Sequence, residues 1–150
     1  MTNYSSPDLT QQPPRSPRVR LGGFAILPRV IDKCRAVLAG TNGDYNYACA
    51  LDQHFFTFTK IDPEAMKAEI AAGKGDGEIL AWVMENLGRD LSLPDILAWS
   101  AYHQSRSPDN PTYRAKFNKM HETLAPDRTD IVTSFDMLDL DDYVSFGGKA

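Results

Sequence analysis

The stretch SPRVRLGGFAILPRVIDKCRAVLAG, Ser16–Gly40, contains the clearest amphipathic helix of the chain. Proline is favoured in the first turn of a helix and glycine just after the last, so Pro28 and Gly40 predict a helix over about 28–39. At roughly 100° per residue, one face of that helix collects apolar side chains: Ile26, Val30, Ile31, Cys34, Val37 and Leu38. Such a face is stable when it is buried, so this helix is predicted to pack in the core of a helical protein.

Basic residues and a glycine pair lie at the start of this helix. Backbone N–H groups at a glycine turn and at a helix start attract anions, as do guanidinium and ammonium groups. We therefore predict a site for the carboxylate or phosphate of a small molecule, formed by Arg18, Arg20, Gly22, Gly23, Arg29 and Lys33. The alternative is structural: Arg29, Asp32 and Lys33 form an ion-pair ladder along the helix. Arg18 and Arg20 then pair with acidic residues elsewhere in the chain.

Titratable side chains are the candidates for proton transfer in such a site. Asp32 and Lys33 belong to the segment itself, and His54 and His103 are the alternatives. An imidazole titrates nearest to neutral pH and often serves as general acid or base. The sequence has no nucleophile–base pair at recognisable spacing, no nucleotide-binding fingerprint and no metal signature, so no cofactor or metal is expected. Whether the protein is an enzyme stays open.

Both histidines also have a structural interpretation. Asp52 predicts a helix cap, followed by a helix to about Thr59 in which His54 falls within the apolar arc. A histidine in that position is expected to hydrogen-bond to backbone at the edge of the core. His103 lies one turn after Trp99 in a later helix, and the two rings either stack a ligand or cover the core.

Composition limits the class of protein. A chain of 150 residues, of which 42% are hydrophobic and 24% charged, can bury the core of one globular domain. The net charge of -4 argues against nucleic-acid binding. No apolar run approaches the roughly 20 residues of a membrane span, and the N-terminus lacks the pattern of a signal peptide. We therefore expect no membrane association and a cytoplasmic location.

Charge is distributed unevenly along the chain. Residues 1–40 contain six basic and two acidic side chains, whereas residues 127–150 contain two and six. Carboxylates crowd the end of the last predicted helix, where they oppose its dipole: Asp136, Asp139, Asp141 and Asp142. Their candidate partners are Arg18, Arg20 and Arg29. The two ends are predicted to meet within one protomer or across a homodimer, which gives the alternative function, a non-catalytic helical interaction or homo-oligomer module.

Glycine and proline turns divide the chain into short amphipathic segments. Residues 1–17 contain four prolines among polar residues and are predicted to form an extended, partly disordered arm. Residues 18–150 are predicted to form one compact all-α domain, a bundle of about six short helices, the last over about 127–138. Asn42-Gly43 indicates a turn, and a short extended piece or hairpin over 45–49 stays open.

Several stretches resemble a known family. They are DLTQQPPRSPRVRLGG at 8–23, LPRVIDKCRA at 27–36, the Gly-Asp-Tyr and Leu-Asp-Gln region at 43–53, and LDLDDYVSFGG at 138–148. On these residues the chain resembles DUF5069, a bacterial domain-of-unknown-function family, over nearly its whole length. The resemblance implies a small, soluble, mostly helical bacterial protein. It carries over no catalytic residues, because no activity is assigned to that family.

Overall fold

The fold is all-α, as the sequence predicts. The computed structural model describes residues 3–150, in which seven helices are joined by turns and no strand occurs. The helices are α1 Leu27–Ala39, α2 Ala50–Thr59, α3 Pro63–Ala71, α4 Asp76–Glu85, α5 Leu93–Ser105, α6 Pro111–Leu124 and α7 Ser134–Ser145. The predicted number of about six was therefore one too low, and the segment between α1 and α2 is a series of turns rather than a hairpin. Residues 1 and 2 of the predicted arm lie outside the described part of the chain.

Local signals place most helix ends where they were predicted. Gly40 ends α1 in the left-handed conformation, with φ of 72°, and its N–H bonds to the carbonyls of Ala36 and Val37. Asp62 caps α3 by accepting a hydrogen bond from the N–H of Ala65 at 3.0 Å. Ser92 caps α5 through reciprocal bonds with Asp95. In each case a side chain or a glycine satisfies backbone groups that the helix itself leaves unpaired.

Two predicted helix starts were wrong. The last helix begins at Ser134 and not near 127, because Thr133 and Asp136 form a capping box, and it ends at Ser145 rather than near 138, so the aspartates expected at its C-terminal end lie within it. Helix α2 begins at Ala50, two residues before the predicted cap, because the carboxylate of Asp52 is used elsewhere. It accepts hydrogen bonds from Lys33 at 2.7 Å and from the N–H of Ala48 at 2.9 Å. Tertiary contacts thus overrule a local capping signal.

Helix α1 lies in the main core, where it packs against α2 and α3. Phe24, just before α1, is fully buried and meets Phe55 of α2 edge-to-face at a ring separation of 5.4 Å. Burying a side chain of this size stabilises the fold by about 1.5–3 kcal/mol. A smaller apolar cluster lies beneath α6 and α7 and contains Phe117, Ala125, Ile131, Met137 and Leu140. The chain therefore has its largest core at the segment that the sequence singled out.

Residues 3–17 lie against the domain. Leu9 is buried, and its N–H donates to the carbonyl of Thr41, just after α1, at 2.8 Å. Arg15 reaches Asp32 in the middle of α1. This segment therefore covers one side of α1. No helix within residues 3–150 has the length and apolar character needed to cross a membrane.

Candidate functional site

Arg29 forms a buried ion pair with Asp142 of α7. Its side chain is among the buried ones at 3% exposure, and Nη1 and Nη2 donate to the two carboxylate oxygens of Asp142 at 2.7 and 3.2 Å. The hydroxyl of Tyr45 donates to Asp142 at 2.7 Å. Burial, together with this bond to a carboxylate, raises the pKa of Tyr45 above its ordinary value. The network holds α7 and the turn after α1 against α1.

Asp32 is occupied by Arg15. Its carboxylate accepts hydrogen bonds from the backbone N–H, Nε and Nη2 of Arg15, at 2.9, 3.0 and 2.9 Å. The same guanidinium pairs with Asp76 at the start of α4, at 2.7 Å. Sequence reasoning missed Arg15, because nothing in a run with three arginines in six residues tells which of them pairs with Asp32. Arg15 thus joins the arm to both α1 and α4.

Lys33 forms the third buried contact of α1. It is 2% exposed, and its Nζ donates to Asp52 at 2.7 Å and to the Sγ of Cys49 at 3.2 Å. Cys49 is the N-cap residue of α2, and no side chain caps that helix end. The predicted ion-pair ladder along α1 is therefore wrong. Burial of this face leaves each charged side chain with a partner from a different segment.

The basic and acidic ends of the chain meet, as predicted. Arg18 pairs with Asp136 and, through Nε at 2.9 Å, with Asp139. Together with the Arg29–Asp142 pair, these contacts form within one chain. Arg20 does not take part: it is exposed and donates to Gln104 at 3.0 Å.

The glycine pair forms a tight turn inside the packing. Gly22 and Gly23 have φ of 59° and 86°, a region that side chains disfavour. Leu21 and Phe24 exchange backbone hydrogen bonds across the turn, at 3.1 and 3.0 Å. A Cβ added to Gly22 would lie 2.5 Å from the side chain of Leu80 in α4. The turn needs glycine for its backbone and for this close approach.

Arg29 and Lys33 line a cavity of about 770 Å³ between α1, the turns before α2, and α7. We call it the Arg29–Lys33 cavity. Its other polar lining comes from Thr10, Asp44, Tyr45, Asn46, Cys49, Asp141 and Ser145, and its apolar lining from Leu9, Leu51, Leu138 and Phe146. Arg18, Arg20, Gly22 and Gly23 do not line it. The fold thus brings together two of the six predicted ligand-binding residues.

Both signs of charge face this cavity. Arg29 and Lys33 lie on the α1 side, and Asp44 and Asp141 lie on the side of the turns and α7. Burial, together with the neighbouring carboxylate of Asp142, raises the pKa of Asp141. Sequence reasoning placed Asp141 among the carboxylates of the C-terminal end but gave no signal that it would share a cavity with Lys33.

Comparison with known families gives one match that covers most of the chain. A family model described as a domain of unknown function, DUF5069, matches residues 11–144. The chain belongs to the DUF5069 family. The matched range includes α1–α6 and all but the last residue of α7. A search of curated proteins gives no match.

The two candidate histidines of this DUF5069 protein meet in a different place. The rings of His54 and His103 are 4.7 Å apart, and Trp99 lies 4.6 Å from His103, as its spacing in the sequence predicts. Burial and repulsion by His54 and Arg106 lower the pKa of His103 to about 4. Burial is also the main cause of the lowered pKa of His54. Both rings are therefore neutral at pH 7.

The side chains that could bind a metal ion do not cluster in the described part of the chain. Within residues 3–150, His, Cys, Asp and Glu side chains form no group of three or more that could hold a metal ion. Both cysteines are free thiols. Cys34 is buried on α1, as predicted, and burial raises the pKa of its thiol to about 12.

Proposed function

We propose that this DUF5069 protein binds a small molecule through a carboxylate or phosphate in the Arg29–Lys33 cavity. The observation that supports this is the convergence of two buried cations, from one face of α1, on one concave surface. A cavity of about 770 Å³ lies within the roughly 300–1,000 Å³ that small-molecule sites occupy. Leu51 and Leu138 add the apolar surface that such sites also need.

Both cations keep donors for a ligand. A guanidinium has five N–H groups, and that of Arg29 makes three hydrogen bonds, two to Asp142 and one to the carbonyl of Arg15. The ammonium of Lys33 has three N–H groups and makes two hydrogen bonds. Because their carboxylate partners hold both side chains in place, little conformational entropy is lost when a ligand binds.

The wall of the cavity that faces Arg29 and Lys33 is acidic, and this restricts which ligands fit. Asp44 and Asp141 face the cavity, so a simple anion would meet both attraction and repulsion there. A molecule with an anionic group at one end and a cationic or hydrogen-bond-donating group at the other satisfies both walls. We therefore expect a zwitterion of amino-acid size rather than a polyanion.

The first experiment is native mass spectrometry of protein purified without added ligand. We expect a mass excess that is lost on denaturation and whose size identifies the ligand. Arg29→Lys keeps the charge opposite Asp142 but lacks the planar fork of donors, so binding should weaken by about ten-fold or more. Arg20→Gln removes an exposed charge outside the cavity and serves as the matched control.

Blocking the cavity gives a second test. Cys49 lines it and is partly exposed, so N-ethylmaleimide should add bulk there and abolish binding. Cys49→Ala protein treated in the same way should keep binding. If the ligand remains bound after Cys49 is modified, the site lies elsewhere. If the protein carries no ligand, it is titrated with zwitterionic and anionic metabolites, and failure of all of them to raise the Tm contradicts the proposal.

The second candidate function is a helical interaction or homo-oligomer module. The observation that bears on it is the pairing of Arg18 and Arg29 with α7 inside one chain, which already occupies the basic and acidic ends. A homodimer would then need another surface. Native mass spectra at low and raised salt test this function: a dimer that separates as salt increases would favour it, and a monomer at both would contradict it.

A further inference from the structure

A second concave surface runs along α2 on the side of His54. It consists of cavities of about 390 and 500 Å³ that share Ala50 and His54, and we call the two together the histidine groove. Helix α6 and Arg106 border the smaller cavity, and Trp99 and His103 of α5 border the larger one. The smaller cavity shares Leu51 and Leu138 with the Arg29–Lys33 cavity, so the groove adjoins the site proposed above, but Arg29 and Lys33 line neither of its cavities.

The charge in the histidine groove is of one sign. Arg89, Arg106 and Lys116 line it, and its lining includes no aspartate or glutamate among the described residues. Within residues 3–150 none of these three cations forms a salt bridge, unlike Arg29 and Lys33. Uncompensated cations around a concave surface raise the local concentration of anions. The groove is therefore suited to an anionic group.

Two buried polar atoms at the groove have no hydrogen-bond partner. His103 is 4% exposed, and its Nδ1 is unpartnered, as is the buried Nε of Arg106. Buried polar atoms in folded proteins are nearly always hydrogen-bonded, because leaving one unpaired costs about 1–3 kcal/mol. The two atoms lie beneath the groove surface, and the side chains that carry them, Arg106 and His103, each border one of its two cavities.

One wall of the groove is aromatic. Phe58 and Trp99 stack with ring centroids 4.8 Å apart and planes inclined by 5°. The guanidinium of Arg89 lies over Phe58, 5.4 Å from the ring centroid. Next to this wall, His54 and His103 are uncharged at neutral pH, because burial and the positive charge of Arg106 lower the pKa of each ring. Asp109 has a smaller effect on His54, in the opposite direction. Neutral rings can stack on a ligand and offer it both a donor and an acceptor.

We propose that the histidine groove is a second ligand site, which binds an organic anion that carries an aromatic ring. The acidic group lies between Arg106 and Lys116, where the groove is cationic. The ring lies against Trp99 and the two histidines. Neither part of the groove alone would select such a molecule, because the cations attract any anion and the aromatic wall accepts any flat ring.

Benzoate serves as the probe, with two isosteres that each remove one property. Benzamide keeps the ring but has no charge, and cyclohexanecarboxylate keeps the charge but has no aromatic ring. The chain has two tryptophans, of which Trp99 lines the groove and Trp82 does not, so their indole N–H signals in an NMR titration give a readout and an internal control. Benzoate should shift the Trp99 signal saturably and leave Trp82 unchanged. Benzamide should bind at least about ten-fold more weakly, and cyclohexanecarboxylate about two- to ten-fold more weakly.

A pair of exposed lysines on α6 provides matched variants. Lys116→Gln, at the groove, should weaken benzoate binding by about two- to five-fold, whereas Lys119→Gln, outside it, should have no effect. Both changes lie on the surface, so neither should unfold the protein. The proposal is overturned if benzoate leaves the Trp99 signal unmoved up to its solubility limit, if benzamide binds as well as benzoate, or if both lysine variants behave alike.

Discussion

Replacing Asp142 by alanine should destabilise this DUF5069 protein severely. The change removes both carboxylate acceptors of the Arg29 side chain, which is 3% exposed, and leaves it only the carbonyl of Arg15; it also removes the partner of the Tyr45 hydroxyl. Breaking a buried ion pair from one side costs about 3–5 kcal/mol, because the remaining charge stays buried without compensation. For a chain of this size, that loss corresponds to a Tm lower by about 6–20 °C. Urea unfolding followed by circular dichroism measures the free energy directly.

A second variant tests whether the loss of stability comes from the burial of the ion pair or merely from the loss of a charge. Asp139→Ala also removes a carboxylate of α7 that pairs with an arginine, but its pair with Arg18 is about one-third exposed on both sides. Exposed pairs contribute about 0–1 kcal/mol, so this variant should unfold close to the parent protein. The reasoning is refuted if Asp142→Ala costs no more than Asp139→Ala. It is supported further if Arg29→Met combined with Asp142→Leu recovers most of the lost stability, since neither charge of this buried pair then remains.

Three further predictions follow from backbone geometry, titration and burial. Gly22→Ala should lower the unfolding free energy by about 1 kcal/mol or more, because φ is 59° at that position. Gly77→Ala should raise it by about 0.5–1 kcal/mol, because Gly77 lies in the first turn of α4 with open space around it. The urea midpoints of the two variants measure both effects. The pKa of His103 is about 4 in the folded protein, whereas in the unfolded chain it is near 6.5. The unfolding free energy, from urea unfolding at several pH values, should therefore fall as the pH drops from 6.5 to 4. It should fall less steeply in His103→Phe. Ellman's reagent should label Cys49 but not the buried Cys34 in the native protein and both in urea, and rapid native labelling of Cys34 would contradict its burial.

Helix type and most helix ends follow from local patterns. Pro28, Gly40, Asp62 and Ser92 each act within a few residues, through backbone groups that any helix of that sequence must satisfy. Their effect does not depend on what packs nearby, so these positions could be predicted. Asp52 shows where this fails, since a buried lysine competes for the same carboxylate and moves the start of α2.

Charge composition predicts that the two ends meet but not which residues do so. Arg18 and Arg20 are two residues apart in one basic run, yet Arg18 pairs with α7 and Arg20 is exposed. The difference depends on the direction in which each side chain leaves the turn before α1. Arg18 is directed to Asp136 and Asp139 of α7 and Arg20 to Gln104 of α5, and no local pattern encodes which helix each side chain meets.

The sequence by itself determined that this is an all-α domain, that Ser16–Gly40 lies at its centre, and that opposite charges join its ends, because periodicity, capping and net charge are properties of neighbouring residues. The tertiary structure decided which of the charges on α1 are buried, and that Arg29 and Lys33 share a cavity while His54 and His103 border another groove. These sites combine residues distant in the chain, such as Lys33 with Asp141. Their proximity arises when helices pack, and spacing in the sequence carries no record of it.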